Sequence, residues 1–141
     1  MKPIVKIIPT HSLHIVDENE QYAHAVKHSL EEKFEGKVSV SVFRNAETSL
    51  ESIKKLTDKP HVVLMDHAQN KEIPKENGRN TIEAIQQISP DTRIVILSDE
   101  ENKEHAAKAL AHGASDFVIK DQFSLEHIFT AVSKCLYPTK V

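Results

Sequence analysis

The sequence predicts an α/β fold, a doubly wound five-stranded parallel sheet with helices on both faces. Two observations predict it. Five short runs rich in Val and Ile, each bounded by polar residues, read as buried strands. Five stripes of apolar residues spaced three and four apart alternate with them and read as amphipathic helices. Parallel neighbours need crossover connections, and right-handed crossovers lay helices over both faces of the sheet. The length of 141 residues suits one domain with a sizeable core.

The first run is Leu13 to Val16, followed by Ala23, Val26, Leu30 and Phe34 on one helical face. Val38 to Phe43 is the second run, and Ala46, Leu50 and Ile53 follow behind a cap at Asn45. His61 to Met65 is the third, and Ile82, Ile85 and Ile88 mark a helix stopped by Ser89-Pro90. After Arg93 to Leu97 comes a helix over about residues 101–112. Its apolar positions are read as Ala106, Ala107, Leu110 and Ala111, and Gly113 as its left-handed stop. Ser115 to Ile119 is the last run, and Leu125, Ile128, Phe129, Val132 and Leu136 form the most apolar stripe. The folded domain is thus expected over 11–137. Residues 1–10 form an N-terminal arm, as an extra strand or a mobile segment, and 138–141 a C-terminal tail.

Composition narrows the function classes. A formal charge of -3 gives no electrostatic case for direct nucleic-acid or membrane binding. The single cysteine, Cys135, excludes an intrachain disulfide framework and suits the reducing cytoplasm. No apolar run approaches the roughly 18 to 20 residues of a membrane span. The first ten residues, broken by Lys2, Pro3, Lys6 and Pro9, make a poor signal peptide.

In open α/β sheets the functional crevice lies beyond the carboxyl ends of the strands. There the sequence places Asp17-Glu18, Asp66, Ser98 and Lys120. Clustered carboxylates repel unless a cation neutralises them. A hard divalent ion such as magnesium suits carboxylates, a backbone carbonyl and retained water. One carboxylate could then attack a phosphoryl group, with metal, lysine and hydroxyl countering the developing charge. Each residue also has a plainer reading. Asp17 and Glu18 could cap the first helix, and Ser98 with Glu101 fits a capping box. Lys120 alone reads as a solvated charge and Phe117 alone as core. His24 and His28 share a helix face that can suit zinc, but with no partner nearby the nine histidines read as surface residues.

The runs "LHIVDENE", "HVVLMDH", "IVILSDE" and "GASDFVIKD", in this order, resemble the response-regulator receiver family over residues 11–137. Asn77-Gly78 and "ISPDT" at Ile88 to Thr92 agree with family wording. The resemblance implies a flavodoxin-like sheet of order 2-1-3-4-5. It implies Asp66 as phosphoacceptor and Glu18 as a direct ligand of Mg2+ (or Mn2+). Asp17 would assist through water, and the Ala68 carbonyl would complete the protein ligands. Ser98 would hydrogen-bond the phosphoryl group, Lys120 would form a salt link to it, and the Phe117 rotamer would report activation. The chain would be a signalling phosphoacceptor in two-component phosphorelay signalling. It would not be an enzyme, although it assists its own phosphorylation and dephosphorylation. Its donor would be a sensor histidine kinase or a histidine phosphotransfer protein, and its output partner would dock on the fourth helix, fifth strand and fifth helix.

Four features depart from the family pattern. Asp121 stands where proline usually follows the lysine, which predicts a trans Lys120–Asp121 bond. The stretch from Asp66 to Gly78 is about four residues longer than the pattern, with the extra residues within "AQNKEI". Asp99 replaces a small residue, and Arg79, Asn80 and Thr81 predict a late start for the third helix. Asp99 and the long loop favour an alternative, a phosphorylation-independent interaction module; the intact signature opposes it. An α/β enzyme acting on small phosphorylated substrates lacks a pocket signature. No output domain is expected after the last helix, which leaves open a stand-alone relay or a piece of a longer regulator.

Overall fold

The computed structural model describes residues 8–138. The strands are β1 His11–Val16, β2 Val38–Phe43, β3 Val62–Asp66, β4 Arg93–Ser98 and β5 Asp116–Ile119. The helices are α1 Glu20–Lys33, α2 Ala46–Lys55, α3 Thr81–Ile88, α4 Lys103–Ala111 and α5 Ser124–Leu136. All strand pairs are parallel, in the order β2-β1-β3-β4-β5. Residues 1–7 of the expected arm and 139–141 of the expected tail lie outside the described residues. Among those described, no helix is long and apolar enough to cross a membrane.

Strand alternation divides the core. Leu13, Ile15, Val62, Leu64, Val95, Leu97 and Val118 pack with the buried faces of α1 and α5. Val16, Val63, Met65, Ile94 and Ile96 pack on the other side with α2 and α3. Truncating a fully buried residue such as Leu64 to alanine should cost about 2–5 kcal/mol through lost burial and the cavity left behind.

Helix starts follow side-chain caps. Asn19, Asn45, Asn80 and Asn102 each accept a backbone N–H in the first turn of α1, α2, α3 and α4. The late start of α3 at Thr81 thus has its cause in the Asn80 cap. The capping readings of Asp17-Glu18 and of Ser98-Glu101 do not hold, because Asn19 and Asn102 do that work.

Two further expectations are corrected. Within α4 the one buried residue is Ala109, whereas Leu110 is 48% exposed and Ala107 and Ala111 face solvent. The helix is held instead by its neighbours: the His105 ring stacks on His67, and His112 Nδ1 lies 2.9 Å from the Asn80 amide. Nor are all histidines at the surface. His14 is buried in β1, its ring 4.5 Å from that of Phe43 and its Nδ1 3.2 Å from the Ser49 hydroxyl. Burial drives its pKa down to about 4. Gly113 ends α4 at positive φ as expected, and Asn77 and Gly78 turn the long loop at φ +59° and +77°.

Candidate functional site

Asp17, Asp66 and Lys120 meet because strand alternation brings them together. Asp17 continues the row Leu13–Ile15, Asp66 the row Val62–Leu64, and Lys120 follows Val118, all directed to the α1/α5 side. The Lys120 ammonium donates to Asp17 Oδ2 and Asp66 Oδ1, each at 2.7 Å. Asp17 is buried and the side chains of Asp66 and Lys120 are largely covered, Lys120 to 9% exposure, so this lysine is no solvated surface charge. Burial pulls the ammonium pKa down, but the bonds and charges of the two aspartates prevail and leave it above the usual lysine value. Asp66 Oδ2 also accepts the Ala68 N–H at 3.1 Å. Asp17 Oδ1 accepts the Asn19 N–H at 2.9 Å, which fixes the turn into α1. The Lys120 ring partner is Tyr22, whose centroid lies 4.8 Å from the ammonium and whose hydroxyl donates to Ser124 Oγ at 3.1 Å.

The remaining predicted residues lie at the same sheet edge without joining this contact. Ser98 continues the row Ile94–Ile96, so it points to the opposite face from Asp66. Its hydroxyl donates to the Glu100 carbonyl at 3.0 Å and accepts the Glu100 N–H at 3.2 Å. Its carbonyl accepts the Lys120 N–H at 2.7 Å and ties β4 to the lysine's backbone. Glu18 is exposed, and its carboxylate accepts from the Gln69 amide at 3.3 Å. Phe117 is half-buried, its ring 6.3 Å from the ring of His67. No cis peptide occurs among the described residues, so Lys120–Asp121 is trans.

Three neighbours escaped the sequence reading. Tyr22 and Gln69 touch predicted site residues, and His67 stacks on His105 at 4.4 Å with its Nδ1 buried and without a partner. The stretch 67–80 is built of the short 3-10 turns His67–Gln69 and Pro74–Glu76, closed by an antiparallel bridge between Glu72 and Asn80.

Magnesium or manganese is tested by the donors present. The Asp17, Glu18 and Asp66 carboxylates and the Ala68 carbonyl are hard oxygen donors, and magnesium asks for only one or two carboxylates beside water. Among the described residues no three His, Cys, Asp or Glu side chains are gathered as a ready cage. Lys120 supplies the balancing charge between Asp17 and Asp66, and Glu18 is turned to Gln69. The donor chemistry fits a hard, water-retaining ion and does not suit a zinc cage.

The sequence profile of the response regulator receiver domain matches residues 13–133. No curated protein matches the chain. Among solved structures, it is similar to a response regulator from Thermotoga maritima, with 25% identity and a TM-score of 0.73 over 90% of this chain and 98% of that one. It is similar in fold to DrrB, an OmpR/PhoB homolog from the same organism, at 22% identity and TM-score 0.69, covering 89% of this chain and 52% of that one. A third is a Burkholderia pseudomallei response regulator with a phosphorylated aspartic acid, calcium ion and citrate. It is 19% identical at TM-score 0.69, over 89% of this chain and 69% of that one.

Proposed function

This chain belongs to the response regulator receiver family, and from that premise we propose that it is a cytoplasmic phosphorylation switch whose acceptor is Asp66. One observation carries the reading: a single buried ammonium, Lys120, bonds both Asp66 and Asp17 at 2.7 Å at the carboxyl ends of the strands. The phosphorylated aspartic acid and divalent ion of the Burkholderia pseudomallei regulator support the same chemistry.

A sensor histidine kinase or histidine phosphotransfer protein supplies the phosphoryl group. An Asp66 carboxylate oxygen forms the new bond to phosphorus as the bond to the donor's imidazole nitrogen breaks, and that nitrogen keeps the electron pair and takes a proton. The residues that would hold magnesium or manganese are Asp17, Glu18, Asp66 and the Ala68 carbonyl. Bound there, the ion supplies charge neutralisation for the carboxylates and the phosphoryl oxygens. Lys120 holds Asp66 in place and then follows the transferred negative charge. Ser98 leaves its Glu100 backbone contacts to donate to a phosphoryl oxygen. That motion runs directly into the segment leading to α4, a helix with one buried apolar anchor. Phosphorylation then shifts an existing equilibrium of α4 and Phe117, and an output partner reads the α4–β5–α5 face.

Trifluoroberyllate mimics a carboxylate-bound phosphoryl group and tests the reading without a kinase. With magnesium it should shift the amide resonances of Asp66, Ser98 and Lys120, and leave Asp66→Asn unchanged. Unchanged resonances in the native protein would favour the phosphorylation-independent interaction module.

A further inference from the structure

Gln69 lies in the loop after β3 and is 2% exposed, although its amide is polar at both ends. A buried amide is tolerated only when its donors and acceptor are bonded. The Oε1 accepts the N–H of Ala46 at 3.0 Å, at the start of α2. The Nε2 donates to the Glu18 carboxylate at 3.3 Å. The main-chain oxygen accepts the hydroxyl of Thr81 at 2.6 Å, at the start of α3. Thr81 is itself buried, so Gln69 is anchored to two helix starts before it touches Glu18.

We propose that Gln69 is a positioning residue for the divalent ion, acting by holding the Glu18 carboxylate toward the Asp66 edge of the sheet. The proposal rests on the receiver reading above and deepens it. Glu18 is exposed and, by itself, samples several rotamers that must be frozen when it becomes a ligand. A rigid donor from a buried amide removes part of that freedom in advance. It also bonds one carboxylate oxygen and leaves the other free, the usual way in which a neighbour orients a ligating carboxylate. A residue that served only to fold the loop would need the Ala46 and Thr81 contacts alone. The contact to Glu18 is additional, and an apolar residue of similar length could not make it. The same anchoring fixes the peptide between Ala68 and Gln69, whose carbonyl is the expected backbone ligand.

Isothermal titration of the full chain with magnesium alone tests this, with thermal unfolding of the metal-free protein as a separate readout. Gln69→Met should weaken magnesium binding about ten-fold, whatever its effect on the melting temperature. In a Glu18→Gln background the same substitution should change the affinity less than the single substitution does, because the two act through one contact. If Gln69→Met fails to fold, Gln69→Asn, one methylene shorter, withdraws the amide from Glu18 and carries the same expectation. Native affinity in a folded Gln69 variant, or an equal loss with and without Glu18, overturns the positioning role alone. Absence of magnesium binding by the native chain overturns the ligand assignment as well, and the positioning role with it.

Discussion

The Lys120 ammonium lies 4.8 Å from the ring centroid of Tyr22, on the residue that also bonds Asp17 and Asp66. The ring restricts the lysine from one side, and the Tyr22 hydroxyl ties α1 to Ser124. A cation–π contact of this kind is worth about 0.5–1 kcal/mol, or about two- to five-fold in rate where it forms in full only as Lys120 follows the transferred charge into the transition state. Tyr22→Leu should therefore slow labelling of Asp66 by acetyl phosphate about two- to five-fold, and Tyr22→Phe should label near the native rate. Initial rates by intact mass decide this; native rates in Tyr22→Leu would reduce the ring to a space-filler.

Removing the lysine exposes what it balances. In Lys120→Met the buried Asp17 carboxylate and the largely covered Asp66 carboxylate face each other without a cation, and breaking such a pair costs about 3 kcal/mol. Magnesium should restore more stability to this variant than it adds to the native chain, because it replaces the missing charge. Urea unfolding with and without the metal measures both, and an equal magnesium gain in the two proteins would contradict the shared-charge account.

His14 sets an acid limit on the fold. Its pKa of about 4 lies below the ordinary 6.5, so the buried ring stays neutral while the unfolded chain takes up a proton. Stability is complete above pH 6.5, falls as pH drops through that window, and the loss saturates below the folded value. By linkage the loss is about 2 kcal/mol at pH 5. His14→Leu should flatten the slope of unfolding free energy between pH 7 and 5 by that amount. An unchanged slope would assign the acid sensitivity to other groups.

Asp99 is exposed, and α4 is capped by Asn102, so a capping role does not account for it. A carboxylate on the order of 7 Å from an arriving anion opposes it by roughly 2 kcal/mol at an effective dielectric of 20, which exposure and salt reduce to several tenths. Asp99→Ala should speed acetyl phosphate labelling about two-fold at low salt, and less at high salt. Transfer from a docked kinase should change less, since its interface supplies binding energy. Equal acetyl phosphate rates at low ionic strength would remove Asp99 from the site's electrostatics.

The strands and the acidic edge were legible because one physical rule writes both. A strand buried on both faces needs an unbroken apolar run, as at Val62 to Met65, and a carboxylate directly after it at Asp66 demands a reason. The α4 surface was not legible, because its alanines differ little in hydropathy and the helix is held by loop contacts at His105 and His112. His14 reads from sequence as one of the surface histidines; its partner Ser49 lies 35 residues away and only the fold brings them together. Gln69 sat in a polar loop where nothing in its neighbours distinguishes a buried amide from a solvated one.

Phosphorylation of Asp66 is the centre of the account, and intact-mass measurement reaches it most directly. Incubated with magnesium and a cognate phosphorylated histidine kinase, the native chain should gain the mass of one phosphoryl group. Asp66→Asn should gain none, and chelation of the metal should abolish the gain in the native chain. A phosphoryl group that still attaches in a folded Asp66→Asn variant, or a native chain left unlabelled by that kinase, would contradict the assignment.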